Sequence, residues 1–246
     1  MTAPMVYLEG LVKTRSQSES VFELQVPRFT VLPGQLVAVI GESGCGKSTL
    51  LDMVALVMAP TRVARFEVAS SSGRIHDVAE LWGQGGEGDL ARLRRDCFGY
   101  VLQTGGLLPF LSVGQNIRLP GRVKGVVVND ARLRTLAARL GVEHCLDRMP
   151  VSLSIGQRQR AAILRALAHQ PRLVLADEPT AAVDKARARA IIDDMHKLAT
   201  EEGVAVVVVT HDVDLIASRA DVIYSFEVSQ ISEQVTRSVC RQEKKA

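Results

Sequence analysis

The residues from Gly41 to Thr49 have the types and spacing of a phosphate-binding loop. They read Gly41, Glu42, Ser43, Gly44, Cys45, Gly46, Lys47, Ser48 and Thr49, which is a glycine, four free positions and then Gly-Lys-Ser/Thr. Glycines that can take positive φ bring bare N–H groups against an anion, and the lysine adds a mobile charge. The serine hydroxyl is a hard oxygen ligand of the kind that Mg²⁺ accepts. The run therefore predicts a site for the phosphates of a nucleotide and a magnesium ion.

Three polar residues follow two apolar runs of strand length, Leu173–Ala176 and Val204–Val209. They are Asp177 and Glu178 after the first run and His211 after the second. In a parallel α/β sheet, ligands gather beyond the carboxyl ends of the strands. There Asp177 would hold Mg²⁺, Glu178 would orient the attacking water or accept its proton, and His211 would donate a hydrogen bond to the γ-phosphate. Taken alone, the acidic pair is also typical of a polar turn after a strand, and a single histidine is more often structural. The glycine loop earlier in the sequence favours the functional interpretation of all three residues.

Two further sites carry weaker signals. Gln103 ends the strand-like run Phe98–Gln103, where its amide could reach the metal or the water, although a solvated strand end is the alternative. Ser154 is a good helix N-cap with Gln157 three residues on, as in a capping box. Because a helix N-terminus with serine and glycine is a ready anion site, Ser154 and Gly156, with Gln157 in the capping box, are candidates for an anion site outside the glycine loop.

The charge balance gives little support for a nucleic-acid partner. The formal net charge is +3 in 246 residues, which is too weak to indicate one by itself. Arg158, Arg160 and Arg165 could form a nucleic-acid-binding face of the helix after Ser154, but a solvated or interface surface is the preferred interpretation. We therefore expect no nucleic acid among the partners.

The sequence lacks the patterns of a secreted or membrane-spanning chain. No apolar run reaches the roughly 18 residues that would cross a bilayer, and the first residues have no basic segment followed by an apolar core. The four cysteines are widely spaced and form no CxxC pair, which favours a reduced, cytosolic protein. Cys45 occupies a free position of the glycine loop, so we expect it to be incidental rather than reactive.

Hydrophobic spacing predicts the elements that would position these residues. Buried strands are predicted at Leu36–Ile40, Leu173–Ala176 and Val204–Val209, a short strand at Arg65–Ala69, and an antiparallel patch of short strands within residues 5–32. Helices are predicted at Thr49–Val57, 112–118, 129–149, 161–168 and about 185–200, a short basic helix or turn at 90–96, and loops at 70–73 and 83–88. Strands separated by helices indicate an α/β fold with a three-layer, mostly parallel sheet. The helices between residues 104 and 169 would form a small lobe.

Six motifs, in order along nearly the whole chain, resemble those of ATP-binding-cassette (ABC) ATPases. They are Gly41–Thr49 (Walker A), Gln103 (Q-loop), Leu153–Gln157 (signature), Leu173–Glu178 (Walker B), Ala181–Asp184 (D-loop) and His211 (switch histidine). The resemblance implies a P-loop NTPase fold and the use of ATP and Mg²⁺. It implies Glu178, His211 and Gln103 as catalytic residues, and Ser48, Gln103 and Asp177 as residues at the metal.

The same resemblance implies a partner copy and a division of the chain. In that family two cassettes pair head to tail, so we expect a homodimer in which Ser154 and Gly156, with Gln157 beside them, act on the γ-phosphate bound by the other copy. We expect a single nucleotide-binding domain over residues 1–246. Its RecA-like core would comprise residues 1–103 and 170–246, and its helical subdomain about 104–169.

Three positions depart from the family pattern. Arg15 stands where an adenine-stacking tyrosine is expected, so either Arg15 or Phe22 would stack on the base. Ile155 replaces the first glycine of the signature, and Ala181 replaces the serine that opens the D-loop. None of these changes removes the lysine of the loop or the acidic pair, so we expect hydrolysis.

A narrower resemblance, carried by Phe98–Leu119, is to the cassettes of lipoprotein-releasing and macrolide-exporting systems. It implies a permease partner with four membrane helices and a location on the cytoplasmic face of the inner membrane. We expect the loop Thr104–Phe110 and the helices after it to form the docking groove, with Leu107, Leu108, Pro109 and Phe110 exposed. A soluble ABC-type ATPase of DNA repair or translation is the alternative, and an unrelated P-loop kinase is a remote one.

Overall fold

The computed structural model of the protein describes residues 3–17, 20–181 and 183–243. The strands are β1 (Val6–Gln17), β2 (Ser20–Val31), β3 (Leu36–Ile40), β4 (Arg65–Ala69), β5 (Ile75–Asp77), β6 (Phe98–Val101), β7 (Leu173–Asp177), β8 (Ala205–Thr210), β9 (Val222–Ser232) and β10 (Val235–Gln242). The helices are α1 (Lys47–Val54), α2 (Val78–Gly83), α3 (Glu87–Cys97), α4 (Val113–Lys124), α5 (Asp130–Arg139), α6 (Ile155–Leu167), α7 (Lys185–Glu202) and α8 (Val213–Ile216). Two short 3₁₀ turns, Glu143–Cys145 and Pro150–Ser152, lie between α5 and α6.

The strands form one mixed sheet in the order β5-β4-β1-β2-β10-β9-β3-β8-β7-β6. The half from β9 to β6 is parallel, whereas β1, β2, β4 and β5 pair antiparallel. Strand β10 joins the halves, because it runs antiparallel to β9 and parallel to β2. The predicted α/β fold with a parallel core is confirmed. The antiparallel strands continue the same sheet rather than forming a separate patch.

Strand β3 shows why the parallel half has helices on both faces. All five of its residues are buried, and successive side chains of a strand point to opposite faces. Val37 and Val39 belong to an apolar cluster that includes residues of α1 and α3. Leu36 and Ala38 belong to a second cluster that includes residues of α4 to α7. The result is three layers, with β3 and the glycine loop after it fixed from both sides.

Several predicted boundaries are right to within a residue or two. Strands β3 and β4 have the predicted ends, β7 differs by one residue at its C-terminal end, and β8 is shifted by one residue at each end. Helix α7 runs over Lys185–Glu202, and its predicted buried side is buried as expected: Ile191, Ile192, Met195, Leu198 and Ala199. The strong apolar periodicity of these segments matches their final environment.

Other boundaries were wrong where a turn interrupts the apolar pattern. Helix α1 ends at Val54 rather than at residue 57, because Leu56 takes a positive φ of 60° and the chain turns there. The predicted helix 129–149 ends at Arg139, since Gly141 follows with a φ of 64°. Helix α4 continues through Pro120 to Lys124, well beyond residue 118. The predicted loop 83–88 contains the end of α2 and the start of α3.

Five of the helices and strands were not predicted. They are α2, α8, β5 and the two strands that follow α8, which we call the C-terminal ribbon (β9 and β10). Strands β1 and β2 are also long, with twelve residues each, rather than short. No helix in the described ranges is long and apolar enough to cross a membrane.

Candidate functional site

A cavity of about 790 Å³ lies at the carboxyl ends of β3, β7 and β8. Its size is that of a pocket for a small ligand. It is lined by Arg15, Ser20, Phe22, Glu42, Ser43, Gly44, Gly46, Lys47, Ser48, Thr49, Gln103, Asp177, Glu178 and His211. The fold therefore gathers around one cavity seven of the nine residues of the glycine loop, all but Gly41 and Cys45, and all four of the downstream candidates, Gln103, Asp177, Glu178 and His211.

The glycine loop wraps the side chain of its own lysine. Lys47 is buried, and its Nζ donates hydrogen bonds of 2.7 Å to the carbonyl oxygens of Gly41 and Glu42. A Cβ at Gly41 would lie 2.7 Å from Cys45 Sγ, so a larger residue there would force the loop apart. Gly46 takes a φ of 107° and caps the N-terminus of α1. The loop thus carries a cation and the positive end of a helix at one place, which suits bound phosphates.

Cys45 faces away from this chemistry. Its side chain is buried, and burial raises the pKa of its thiol. All four cysteines are free and buried. A neutral, buried thiol fits the expectation that Cys45 is incidental.

Two hard oxygens meet beside the loop. Ser48 Oγ lies 3.3 Å from Asp177 Oδ1. Burial raises the pKa of the Asp177 carboxyl, and the Ser48 hydrogen bond opposes that rise. Gln103 is exposed in the turn after β6, where its amide faces the same cavity. A hydroxyl, a carboxylate and an amide fit Mg²⁺, which keeps several water and phosphate ligands of its own. Within the described residues no group of three His, Cys, Asp or Glu side chains could hold a metal by itself.

Glu178 is held in an unusual backbone conformation. Its φ is 46°, in the left-handed region that costs about 1 kcal/mol or more for a residue with a side chain. Its N–H donates to the Val209 carbonyl at 2.9 Å. Its Oε1 lies 2.9 Å from Nδ1 of His211, so the imidazole donates when that nitrogen carries the proton. Oε2 is buried without a hydrogen-bond partner among the described side chains and backbone. It is an acceptor that suits the O–H of a water.

Arg15 and Phe22 lie opposite each other at the far end of the cavity. They are paired in the register of β1 and β2, and both line the cavity. The Phe22 ring also packs near the loop, since a Cβ at Gly46 would lie 3.4 Å from its Cζ. Arg15 Nη2 lies 3.4 Å from Met58 Sδ. Both candidates for stacking on a base are therefore in reach of the phosphate loop.

The Ser154 segment lies elsewhere. Ser154 caps α6, and the predicted capping box is present: Ser154 Oγ accepts from the Gln157 N–H at 3.2 Å, and Gln157 Oε1 accepts from the Ser154 N–H at 2.9 Å. None of Ser154, Gly156 and Gln157 is among the residues that line the cavity. Ile155 is 55% exposed. In a single chain the N-terminus of α6 thus lies outside the cavity of the glycine loop.

Two expectations about surface residues need correction. Arg165 is not a free surface cation, because its guanidinium donates to the carbonyls of Gly105 and Gly106 at 3.1 and 2.6 Å. Pro109 and Phe110 are exposed, but Leu107 and Leu108 are half-buried, and Leu107 packs against the second apolar cluster, the one that includes residues of α4 to α7. Ala182 of the D-loop-like segment lies outside the described residues.

The C-terminal ribbon contributes contacts that sequence reasoning missed. Ser238 of β10 donates a hydrogen bond of 2.6 Å to the Cys45 carbonyl, and Phe226 of β9 packs against Gly41. The ribbon was not predicted at all. No local pattern in residues 222–242 could have assigned it to the loop.

Comparisons with known proteins agree with this geometry. A family model described as ABC transporter matches residues 24–181. The chain is 37% identical over 222 residues to the lipoprotein-releasing system ATP-binding protein LolD of Gluconobacter oxydans, covering 89% of this chain and 91% of that one. It is 36% identical to the macrolide export ATP-binding/permease protein MacB of Rhodospirillum rubrum, over 95% of this chain and 35% of that protein.

A solved structure is similar over the whole chain. It is the dimeric post-hydrolysis state of the ATP-binding cassette MJ0796 of Methanocaldococcus jannaschii, bound to ADP and Pi. The TM-score is 0.77 and the identity 32%, with 98% of each chain covered.

Proposed function

The chain belongs to the ABC transporter family, and from that premise we propose that it is the ATP-hydrolysing subunit of a membrane transporter. The observation that carries the proposal is the cavity in which Lys47, Ser48, Asp177 and Glu178 converge from separate elements. The similarity to a cassette bound to ADP and Pi supports ATP as the substrate.

Binding of the triphosphate falls to the glycine loop and α1. Backbone N–H groups of the loop and the N-terminus of α1 face the phosphates. Lys47 exchanges its two carbonyl acceptors for phosphate oxygens, which are better partners for an ammonium group. Arg15 and Phe22 give the base two planar surfaces on which to stack.

Hydrolysis needs charge neutralisation and a positioned water. Mg²⁺, held by Ser48 and Asp177 with Gln103 in reach, supplies the neutralisation when it is bound. Glu178 accepts the proton of the attacking water through Oε2, while Oε1 is tied to His211. The histidine keeps the carboxylate in the conformation that faces the cavity.

A second copy of the chain would complete the site. Ser154, Gly156 and Gln157 form a helix N-terminus that can receive a phosphate, yet they lie outside the cavity of their own chain. A head-to-tail homodimer brings this helix over the partner's nucleotide. The dimeric state of the similar cassette MJ0796 supports this arrangement.

The permease would dock where the proposed core, residues 1–103 and 170–246, meets the proposed helical subdomain, residues 104–169. A groove of about 360 Å³ there has a mainly apolar lining: Asp52, Ala55, Val57, Arg94, Phe98, Tyr100, Leu102 and Arg165. Val57 and Leu102 are exposed at its edge, and Phe110 is exposed in the loop predicted for docking. An apolar segment of a permease would cover these side chains. That role places the protein on the cytoplasmic face of the inner membrane.

Relatives of known type favour lipoprotein release or macrolide export as the class of system. The LolD proteins match nearly end to end, and the MacB protein carries its match within a longer chain. A soluble ATPase of DNA repair or translation is not favoured, since the similarity is to transporter cassettes.

The proposal is tested by the variant Glu178→Gln. It keeps the shape of the side chain but removes the base, so ATP turnover should fall by about 10²–10⁴-fold while Mg-ATP affinity stays at the wild-type value. The ATP-bound variant should accumulate as a dimer in size-exclusion chromatography.

Two comparison variants complete that experiment. Lys47→Ala should lose ATP affinity, because it removes the cation of the loop. Glu227→Gln, an exposed glutamate on β9, should behave as wild type. Wild-type turnover in Glu178→Gln would remove that residue from its proposed role.

A further inference from the structure

The C-terminal ribbon contacts the glycine loop through Ser238. This serine is fully buried in the middle of β10, and its Oγ donates a 2.6 Å hydrogen bond to the Cys45 carbonyl. Cys45 is itself buried. A polar group in such a place costs free energy unless it is hydrogen-bonded, so the contact is a paired one between two groups that water does not reach.

Ser238 is held rigidly. It pairs with Leu24 of β2 on one side and with Val228 of β9 on the other. The ribbon touches the loop a second time through Phe226, whose Cδ2 would lie 3.3 Å from a Cβ at Gly41. A hydroxyl fixed between two strands sets the direction of the carbonyl that it binds.

The direction of that carbonyl fixes the direction of the next amide. In a planar trans peptide the C=O of one residue and the N–H of the following residue point in opposite directions. Since the Cys45 C=O points toward Ser238, the Gly46 N–H points away from it. Gly46 lines the cavity beside Lys47 and Ser48.

We infer that Ser238 is a positioning residue for triphosphate binding, which acts by aiming the Gly46 N–H at the phosphates. The inference rests on the proposed nucleotide site. A hydrogen bond from an N–H to a phosphate is charge-assisted and about twice as strong as a neutral one. Donation to the carbonyl at the other end of the same peptide also polarises the N–H and strengthens it further.

Removal of the hydroxyl frees the peptide to turn. In Ser238→Ala the Cys45 carbonyl is left buried without this donor, and rotation of the Cys45–Gly46 peptide toward another donor turns the Gly46 N–H out of the cavity. The side chain change is small and lies in a regular strand, so the fold should tolerate it. Its effect should concentrate on ligands that carry phosphates.

The experiment compares Ser238→Ala with Tyr224→Phe. Tyr224 is a buried residue of the same ribbon, and its hydroxyl accepts a hydrogen bond from the Thr30 N–H at 2.9 Å. Both variants lose one buried hydroxyl bonded to backbone, but Tyr224 does not contact the loop. Affinities for Mg-ATP and for inorganic pyrophosphate are measured by isothermal titration calorimetry. Melting temperatures without ligand are measured by differential scanning calorimetry.

Ser238→Ala should bind both phosphate ligands about tenfold more weakly than wild type. Tyr224→Phe should bind them as wild type does, even where its melting temperature falls as much. Ser238→Cys, which keeps the volume but has a weak donor, should lie between wild type and alanine. The Gly46 amide proton should shift on pyrophosphate addition in the wild type, and by much less in Ser238→Ala.

The outcomes separate this inference from the proposed function. If wild type binds Mg-ATP, Lys47→Ala abolishes binding and Ser238→Ala retains full affinity, the positioning role is wrong and the nucleotide site stands. If Tyr224→Phe weakens binding as much as Ser238→Ala, a general loss of stability explains both and the positioning role is also wrong. If wild type binds neither ligand, both proposals fall.

Discussion

Asp177 and Glu178 are consecutive acids with different surroundings. Asp177 ends β7 in extended conformation and turns its carboxylate to Ser48, whereas Glu178 takes a left-handed conformation and turns to His211. The change of backbone direction between them sends one carboxylate toward Ser48 and the other toward His211. The separate roles proposed for the two acids, metal ligand for Asp177 and base for Glu178, depend on this separation.

The environment of Asp177 makes the stability of the free protein depend on pH. Burial raises the pKa of its carboxyl in the folded state above the ordinary value of 3.8. At a pH between the ordinary pKa of the unfolded chain and the raised pKa of the folded state, the folded state binds more protons than the unfolded state. The free energy of unfolding therefore falls as the pH rises through that window.

Asp177→Asn should remove this loss of stability at higher pH, because asparagine does not ionise. Thermal unfolding without ligand should show a variant that is more stable than wild type at pH 7, and the difference should shrink as the pH falls toward 3.8. Its melting temperature should not rise with Mg-ATP as that of wild type does. A variant less stable than wild type at pH 7 would contradict the proposed desolvation of the carboxylate.

At the scale of elements, the loop between β6 and α4 is organised by one buried side chain. Asn116 of α4 is fully buried. Its Oδ1 accepts from the Leu108 N–H at 2.7 Å, and its Nδ2 donates to the carbonyls of Leu108, Leu111 and Ser112 at 3.0 Å each. One amide thereby replaces the regular hydrogen bonds that this stretch of backbone lacks. The proposed docking loop, Thr104–Phe110, is therefore held in its conformation partly by Asn116, a residue of the following helix.

Asn116→Ala should therefore loosen the loop and destabilise the protein. The partly buried Leu108 N–H and Leu111 carbonyl lose their partner, and the Leu108 and Ser112 carbonyls lose one of two. This predicts a cost of on the order of 3 kcal/mol, or about 6–12 °C in melting temperature. Limited proteolysis should cut within residues 104–112 of the variant and leave that loop intact in wild type.

Asn129→Ala is the matched control. Asn129 caps α5 through a single hydrogen bond to the Arg132 N–H, so its loss should cost about 1 kcal/mol without exposing the loop. Equal effects of the two variants would refute the special role of Asn116.

At the scale of the whole molecule, the two surfaces proposed to bind phosphate lie apart. The glycine loop follows β3 in the sheet, while Ser154 caps a helix of the lobe and is not among the cavity's lining residues. Only a rotation that places one copy's lobe over the other copy's loop brings them together. Two such contacts related by a twofold axis close the assembly as a dimer.

A mixing experiment tests this geometry. Lys47→Ala and Ser154→Ala should each be inactive as homodimers. The first variant lacks the cation of the loop, and the second lacks the contact of Ser154 with the nucleotide bound by the other copy. Random mixing makes about half the dimers mixed, with one complete site in two, so activity should return to about a quarter of wild type. Mixed dimers that form but stay inactive would show that Lys47 and Ser154 serve the same chain.

The sequence by itself determined the parts of this protein whose signal is local. Nine consecutive residues carry the glycine loop, and apolar runs of four to six residues carry strands β3, β7 and β8. The box at Ser154 needs only a spacing of three residues. Each of these features depends on the backbone and side-chain chemistry of residues that are close together in the sequence.

Tertiary structure decided what depends on the order of the strands. The C-terminal ribbon inserts between β2 and β3, and this placement brings Ser238 to Cys45 across 193 positions of sequence. Glu178 meets His211 for the same reason, because β7 and β8 are neighbours. A weakly patterned segment such as β9 gains its conformation from the strands it joins, so no window of sequence could have revealed the contact.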